Sequence, residues 1–290
     1  MGIRSYVSVF FLAVAASASH AGPHDVELPF ELDPQGSVIV SAMVQGLGPF
    51  RFLLDTGSTH SAVSDELAGA LALTPIARAE LQTSAGRTTV PVVEINGVAL
   101  GGAAADRIQA SVLGKTALQV IGRDIQGVLG QDFLAAHHFT IDYAHRRLRW
   151  DDLAEGLEPA GGKSIRVPVV EQDGRFVMQV AQKDRDTLRL VADTGSSELV
   201  LFESDRLARL ELTPLSDFPR MALSSLTGSE SVRLMRLHRL AVGDMLLCDL
   251  LAVVMPRASS NYSSIDGLLP LHTFRAVAFR QREGYVLISQ

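Results

Sequence analysis

Apolar positions from Ser37 onward fall in short runs broken by turn residues, the punctuation of a β-rich chain. Ser37-Val38-Ile39-Val40-Ser41-Ala42-Met43-Val44 is rich in β-branched and apolar residues and predicts a strand. Gln45-Gly46-Leu47-Gly48-Pro49 predicts a turn, and Phe50 to Leu54 a second strand that runs straight into Asp55-Thr56-Gly57-Ser58. Ser64 to Leu73 predicts a short helix, with Leu67, Ala68 and Leu71 at helical spacing. The same order returns later in the chain. Ile165 to Val170 reads as a strand, Gln172-Asp173-Gly174 as a turn, and Phe176 to Val180 as the returning strand. Leu188-Arg189-Leu190-Val191-Ala192 then leads into Asp193-Thr194-Gly195-Ser196, and Ser204 to Leu210 predicts another short helix.

The correspondence persists downstream. Thr83-Ser84-Ala85-Gly86 matches Ser225-Leu226-Thr227-Gly228, each a turn between hairpin strands. Gly101 lies 15 residues after Gly86, and Gly243 lies 15 after Gly228. Ile125-Gln126-Gly127-Val128-Leu129 matches Ile265-Asp266-Gly267-Leu268-Leu269, with 72 residues from Asp55 to Gly127 and 74 from Asp193 to Gly267. Landmarks repeated at near-equal spacing argue for duplicated domains. The expectation is two β-rich lobes, residues 25–155 and 163–290. The joining linker is residues 156–162, inside a stretch from Asp151 to Lys163 that is punctuated by Gly156, Pro159, Gly161 and Gly162.

Composition adds little to this picture, and charge removes one class of function. A formal charge of −6, with no basic stripe and no charge block, points away from nucleic acid. The first 21 residues read as an export signal: Arg4 supplies the positive start, Val7 to Ala16 an apolar run, and Ser19-His20-Ala21 the small residues of a cleavage site. The apolar run is too short for a membrane span of roughly 20 residues. The expected location is therefore periplasmic or secreted, with no stable membrane insertion once the signal is removed. The single cysteine, Cys248, lies in the apolar run Met245-Leu246-Leu247-Cys248 and is expected to be a buried structural thiol.

The candidate chemistry lies in the two Asp-Thr-Gly-Ser motifs. At average composition this tetrapeptide arises by chance about once per 10⁵ positions, so two copies at matching points of a repeat outweigh the reading of each as a turn that caps a strand. Two carboxylates within hydrogen-bond reach cannot both ionise easily and share a proton. The charged member can act as general base on a water while the protonated member polarises a carbonyl. Asp55 and Asp193 are the candidate catalytic residues. Gly57 and Gly195 leave room for close approach of backbone. Thr56 and Thr194 can hydrogen-bond between lobes, and Ser58 and Ser196 can donate to the outer carboxylate oxygens.

An apolar strand leading into Asp-Thr-Gly-Ser, followed later by two apolar residues and a glycine (Val128-Leu129-Gly130), resembles the aspartic proteases of the pepsin and retropepsin group. The likeness is greatest to bacterial single-chain members with two retropepsin-like halves, and covers Ser37 to Ile288. It implies an all-β, bilobal acid-protease-like fold of two retropepsin-like β-barrel lobes with short helices, a dyad at their interface, and flaps over a cleft. By position the flap tips are Ser84 to Thr88 and Leu226 to Glu230, with Gly86 and Gly228 as their mobile points. The substrate would be an extended peptide or protein, no cofactor is implied, and the active unit can be a monomer. The second half departs from the pattern with Leu268-Leu269-Pro270, where proline fixes φ and lacks a donor, so a local difference in threading is expected there.

Other readings carry less. A catalytically silent peptide-binding protein of the same fold would not need to keep Asp, Thr and Ser in both motifs. His137-His138 with Asp142 and His145 has the composition of a metal site, but adjacent histidines on a strand point to opposite faces. A serine hydrolase would need a histidine at one place in both repeats; His60 follows Ser58, and Glu198 occupies the matching place. The stretch Gly156 to Ser164 imitates a phosphate-binding loop with one residue too many between its glycines.

Overall fold

Each run that ends in Asp-Thr-Gly-Ser is the middle of a three-strand unit. Leu47–Leu54 pairs antiparallel with Val38–Val44 and parallel with Gly127–Leu129. Asp186–Asp193 likewise pairs antiparallel with Arg175–Gln182 and parallel with Gly267–Pro270. A strand paired on both edges and covered on both faces has no solvent side, so its sequence is apolar without alternation. Phe52, Leu53 and Leu54 are buried accordingly, as are Leu190, Val191 and Ala192. The structure is a computed structural model and describes residues 27–83, 86–119, 121–122, 124–151, 164–182, 186–215, 221–225, 228–256 and 264–290.

In the first lobe, eight strands run in the order Glu31–Leu32, Val38–Val44, Leu47–Leu54, Gly127–Leu129, Ala62–Ser64, Ala103–Leu113, Gly86–Leu100 and Pro75–Thr83. Val38–Val44 also pairs with Gly86–Leu100 through Met43 and Ala99, which curls the sheet upon itself. The second lobe repeats the plan from Arg175–Gln182 to Leu212–Pro214, again with a closing pair, Ala181 with Ala241. The protein is all-β and two-lobed.

The sheet of the second lobe continues beyond Arg175–Gln182 and joins the lobes. Its continuation runs, in order, through Ile165–Gln172, Tyr285–Ser289, Ala276–Arg280, Phe139–Asp142, Arg147–Trp150 and Glu27–Pro29. The central pairing sets Phe139 opposite Phe279, and their rings stack with centroids 4.6 Å apart. Asp151 is buried beside this seam. It accepts from Thr140 Oγ1 at 2.5 Å, Arg149 Nε at 2.6 Å and Arg280 Nη1 at 3.0 Å, so a first-lobe carboxylate holds a second-lobe guanidinium.

Several expectations need correction. The turn at Gln45 to Pro49 is only Gln45-Gly46, both at positive φ; the strand already starts at Leu47, and Pro49 sits where the register shifts between Ala42 and Val44, the kind of irregularity that tolerates proline in a strand. The helix expected over Ser64 to Leu73 is Asp65–Ala70, with Ser64 Oγ accepting from Leu67 N–H at 3.0 Å as its cap. The helix expected over Ser204 to Leu210 contracts to a single tight turn, Leu207–Arg209. The run Leu188 to Ala192 does lead into Asp193, within the strand Asp186–Asp193, and Phe176 to Val180 lies in its antiparallel neighbour, as expected. Cys248 is exposed: over the first four residues of Met245–Met255 burial alternates, so Met245 and Leu247 face inward while Leu246 and Cys248 face out. His137 and His138 precede their strand; His137 packs on the Phe133 and Trp150 rings, and His138 Nδ1 accepts from Gln281 N–H at 3.2 Å. The leader (1–21) and the linker (156–162) lie outside the described residues.

Asp151→Ala removes the carboxylate that Arg149 and Arg280 share in a buried site. Urea unfolding is expected to show a loss of about 3–5 kcal/mol, and the volume-filling pair Asp151→Leu with Arg280→Met to recover most of it.

Candidate active site

The two three-strand units end face to face, so each Asp-Thr-Gly-Ser loop meets its counterpart. Asp55 continues the strand pairing by donating its N–H to the Leu129 carbonyl at 2.9 Å. Asp193 is the last residue of its strand, in register with Pro270. The threading therefore has the same register in both halves, and the expected local difference at Pro270 is absent. Gly127 and Gly267 allow this: a Cβ on Gly127 would overlap the Phe52 ring and the Ala62 carbonyl, and one on Gly267 the Val200 carbonyl.

Thr56 and Thr194 join the loops. Thr56 N–H donates to Thr194 Oγ1 at 2.9 Å, and Thr194 N–H to Thr56 Oγ1 at 3.0 Å. Each hydroxyl then donates across the interface, Thr56 Oγ1 to the Ala192 carbonyl at 2.7 Å and Thr194 Oγ1 to the Leu54 carbonyl at 2.5 Å. Both threonines are buried. Glycine is required next to them: a Cβ on Gly57 would lie 2.5 Å from Asp193 Cγ, and one on Gly195 2.6 Å from Asp55 Cγ. Each aspartate thus faces the opposite loop's glycine.

Each carboxyl stands against the other loop's glycine, close enough for the two to influence one another, and accepts hydrogen bonds from its own loop. Asp55 Oδ1 accepts from Gly57 N–H at 2.9 Å and Ser58 N–H at 3.1 Å; Asp193 Oδ1 accepts from Gly195 N–H at 2.7 Å. Burial pushes the Asp55 carboxyl up, opposed by its hydrogen bonds and by Arg175. Burial, then the Asp55 charge, pushes Asp193 well above the usual carboxylate range. Asp55 keeps partial exposure while Asp193 is buried.

Ser58 and Ser196 do not donate to the carboxylates. Ser58 Oγ donates to the His60 carbonyl at 2.8 Å, and Ser196 Oγ to the Glu198 carbonyl at 2.7 Å. A hydroxyl has one proton to give, and here it closes the turn two residues on; at Ser58 the backbone N–H serves the aspartate instead. Gly86 and Gly228 pair with Thr83 and Ser225 as the last rungs of two long hairpins, whose tips, 84–85 and 226–227, lie outside the described residues. His60 is exposed; Glu198 is half-buried, and burial pushes its carboxyl up.

Other polar residues support the first loop with no echo in the second. Ser61 donates its N–H and its hydroxyl to Asp132, at 2.9 and 2.6 Å, and Gln131 Nε2 donates to the Thr56 carbonyl at 2.8 Å. The matching positions of the second half are Leu199, His272 and Leu271. A repeat search hides such residues because it reports what the halves share. Among the described residues, no group of three or more His, Cys, Asp or Glu is placed to hold a metal ion, and no helix is long and apolar enough to cross a membrane.

Two carboxyls, one from each of two like β lobes and each set against the other lobe's Asp-Thr-Gly-Ser loop, define a protein of the acid-protease class. The aspartyl protease family profile matches residues 40–133 and 178–272, once in each half and over more than half of the chain, and the chain belongs to that family. Among solved structures it is similar to a retropepsin-like aspartic protease from Rickettsia conorii, at 23% identity over 44% of this chain and 91% of that one, with a TM-score of 0.34. No curated protein matches it in sequence.

The raised Asp193 carboxyl has a consequence for stability. The folded protein keeps a proton that the unfolded chain loses near pH ~3.9. The stability this gives is fully present below that pH and is lost as pH rises through the folded value. Asp193→Asn, which never ionises, is expected to match wild type in urea unfolding near pH ~3 and to exceed it at pH ~7 by on the order of 1 kcal/mol.

Proposed function

We propose that this protein is an exported aspartic endopeptidase in which one chain supplies both catalytic carboxylates, Asp55 and Asp193. What supports the reading most is the reciprocal approach of the two loops, each carboxyl against the other loop's glycine with the threonines exchanged between them. Water held between the carboxyls would lose a proton to the ionised member as its oxygen attacks a peptide carbonyl carbon. The protonated member would give its proton to the carbonyl oxygen. Collapse of the resulting diol then needs a proton on the leaving nitrogen, and the acid just formed can supply it.

In this reading the functional units are residues 25–155 and 163–290, joined by 156–162, and the active unit is a monomer because the duplication provides the second half. The substrate is a peptide or protein in extended form, held partly by main-chain hydrogen bonds. The hairpins that carry Gly86 and Gly228 are the flaps over it. Residues 1–21 direct export to the periplasm or beyond, on the strength of Arg4 and the apolar run after it.

The test is peptide-library cleavage by the mature chain from about pH 3 to about pH 8, beside Asp55→Asn and Asp193→Asn. Each variant is expected to fold and to lose at least about 10²–10⁴-fold in activity. A folded wild type that cleaves nothing in that range would sink the peptidase reading and leave a peptide-binding protein of the same fold, which the same library would reveal by capture.

A further inference from the structure

Arg175 opens a strand of the second lobe, yet its side chain reaches the aspartate loop of the first. Nε donates to the Gly57 carbonyl at 2.8 Å, and Nη1 to the Asp173 carbonyl at 3.2 Å. The Gly57 carbonyl belongs to the peptide unit whose N–H is that of Ser58, and Ser58 N–H donates to Asp55 Oδ1 at 3.1 Å. A single peptide group therefore stands between guanidinium and carboxyl, accepting from one and donating to the other. Hydrogen bonds in series polarise one another, and a guanidinium keeps its charge at every working pH.

The first lobe offers Asp193 no such group from the matching position. Arg175 lies 18 residues before Asp193, and Ser37 lies 18 before Asp55. Both follow a glycine at positive φ, Gly174 at 72° and Gly36 at 89°, so they match in structure as well as in count. Ser37 is buried and uncharged, and its N–H is held by Asp33 Oδ1 at 2.8 Å. Arg175 acts on Asp55, and Tyr143 lies near Asp193; burial, then the Asp193 charge, pushes the Tyr143 phenol up and keeps it neutral. His60 and Glu198 lie further along the two loops, where the His60 charge is felt by Asp132.

We propose that Arg175 is a positioning residue that makes Asp55 the member of the pair carrying the negative charge, and hence the base, with Asp193 the proton donor. This rests on the two-aspartate reading above and assigns its roles. The Asp55 carboxylate takes a proton from water as the water oxygen bonds to the carbonyl carbon. The carbonyl π pair moves to its oxygen, which takes the Asp193 proton. On collapse Asp55 returns its proton to the nitrogen as the C–N bond breaks, and Asp193 recovers one from a diol hydroxyl.

The test pairs pH–rate profiles with ¹³C-carboxyl NMR titration of the two aspartates, in wild type, Arg175→Gln and Arg175→Lys. A cation beside Asp55 favours its ionised form, so removing it must move the acid limb upward. Arg175→Gln is expected to shift that limb by about one pH unit while activity above the shifted limb stays within several-fold of wild type, and Arg175→Lys to restore part of the shift. A uniform drop in rate with both limbs in place would mean a merely structural role and overturn the assignment. The NMR arm needs no turnover. Asp55 is expected to ionise first in wild type and the two to share charge more evenly in Arg175→Gln. Asp193 ionising first in wild type overturns the proposal, even if Arg175→Gln fails to fold. If wild type cleaves nothing, the peptidase reading fails, while the NMR order still decides the role of Arg175.

Discussion

Two threonines exchange hydrogen bonds across the lobe interface, and the geometry of the site depends on that exchange. Each hydroxyl accepts the other residue's N–H and donates to a carbonyl of the other lobe, at distances from 2.5 to 3.0 Å. Both are buried, where a polar group left without a partner costs several times what a satisfied one contributes. The four bonds therefore form together or the loops separate. Because each threonine follows its aspartate directly, the exchange also sets where the carboxyls stand, and the glycine after each threonine lets the opposite carboxyl come in. The rest of the fold serves this meeting: the parallel strands Gly127–Leu129 and Gly267–Pro270 brace the two delivering strands, and the shared sheet keeps the lobes from drifting apart.

Much of this arrangement was legible before the structure, for a physical reason. Duplication writes the same local demands twice, so the apolar run, the tetrapeptide and the later bracing strand stand out by repetition. The last three residues before each aspartate, Phe52 to Leu54 and Leu190 to Ala192, have no polar face to blur the signal. The sheet that joins the lobes was not legible. Phe139–Asp142 pairs with Ala276–Arg280, more than a hundred residues away, and period-two patterning says which face of a strand is buried but not which strand lies beside it. Cys248 was misread on the same ground, since a four-residue apolar run on a strand puts only half its side chains inward. The serines were misread because donation to the nearby carboxylate and donation to a carbonyl two residues on are equally short reaches for a hydroxyl.

What the halves do not share is as informative as what they do. The first loop is backed by Ser61, Asp132 and Gln131, a polar set with hydrogen bonds among its members and to Thr56; the second has Leu199, His272 and Leu271 in those places. Burial pushes the Asp132 carboxyl up and pushes the His272 imidazole down, so each backing group is held toward its neutral form beside its own loop. Both solutions hold the same backbone in place. The requirement is for a filled volume behind the loop, and either a hydrogen-bonded set or a largely apolar one meets it.

Joining the halves in one chain has a consequence that identical halves could not have. In a symmetric dimer, whatever faces one loop faces its mate, so a cation placed beside one aspartate stands beside both. A symmetric pair must then let the substrate decide which carboxyl holds the proton. Here the residue 18 positions before each aspartate has diverged, to Arg175 in one half and Ser37 in the other, while the glycine before it keeps its turn in both. The asymmetry is built into the free protein, through one peptide group that connects the guanidinium to Asp55. A dyad whose proton is already assigned has one fewer arrangement to reach before the water attacks, and only a chain that carries both halves can hold that assignment in its own sequence.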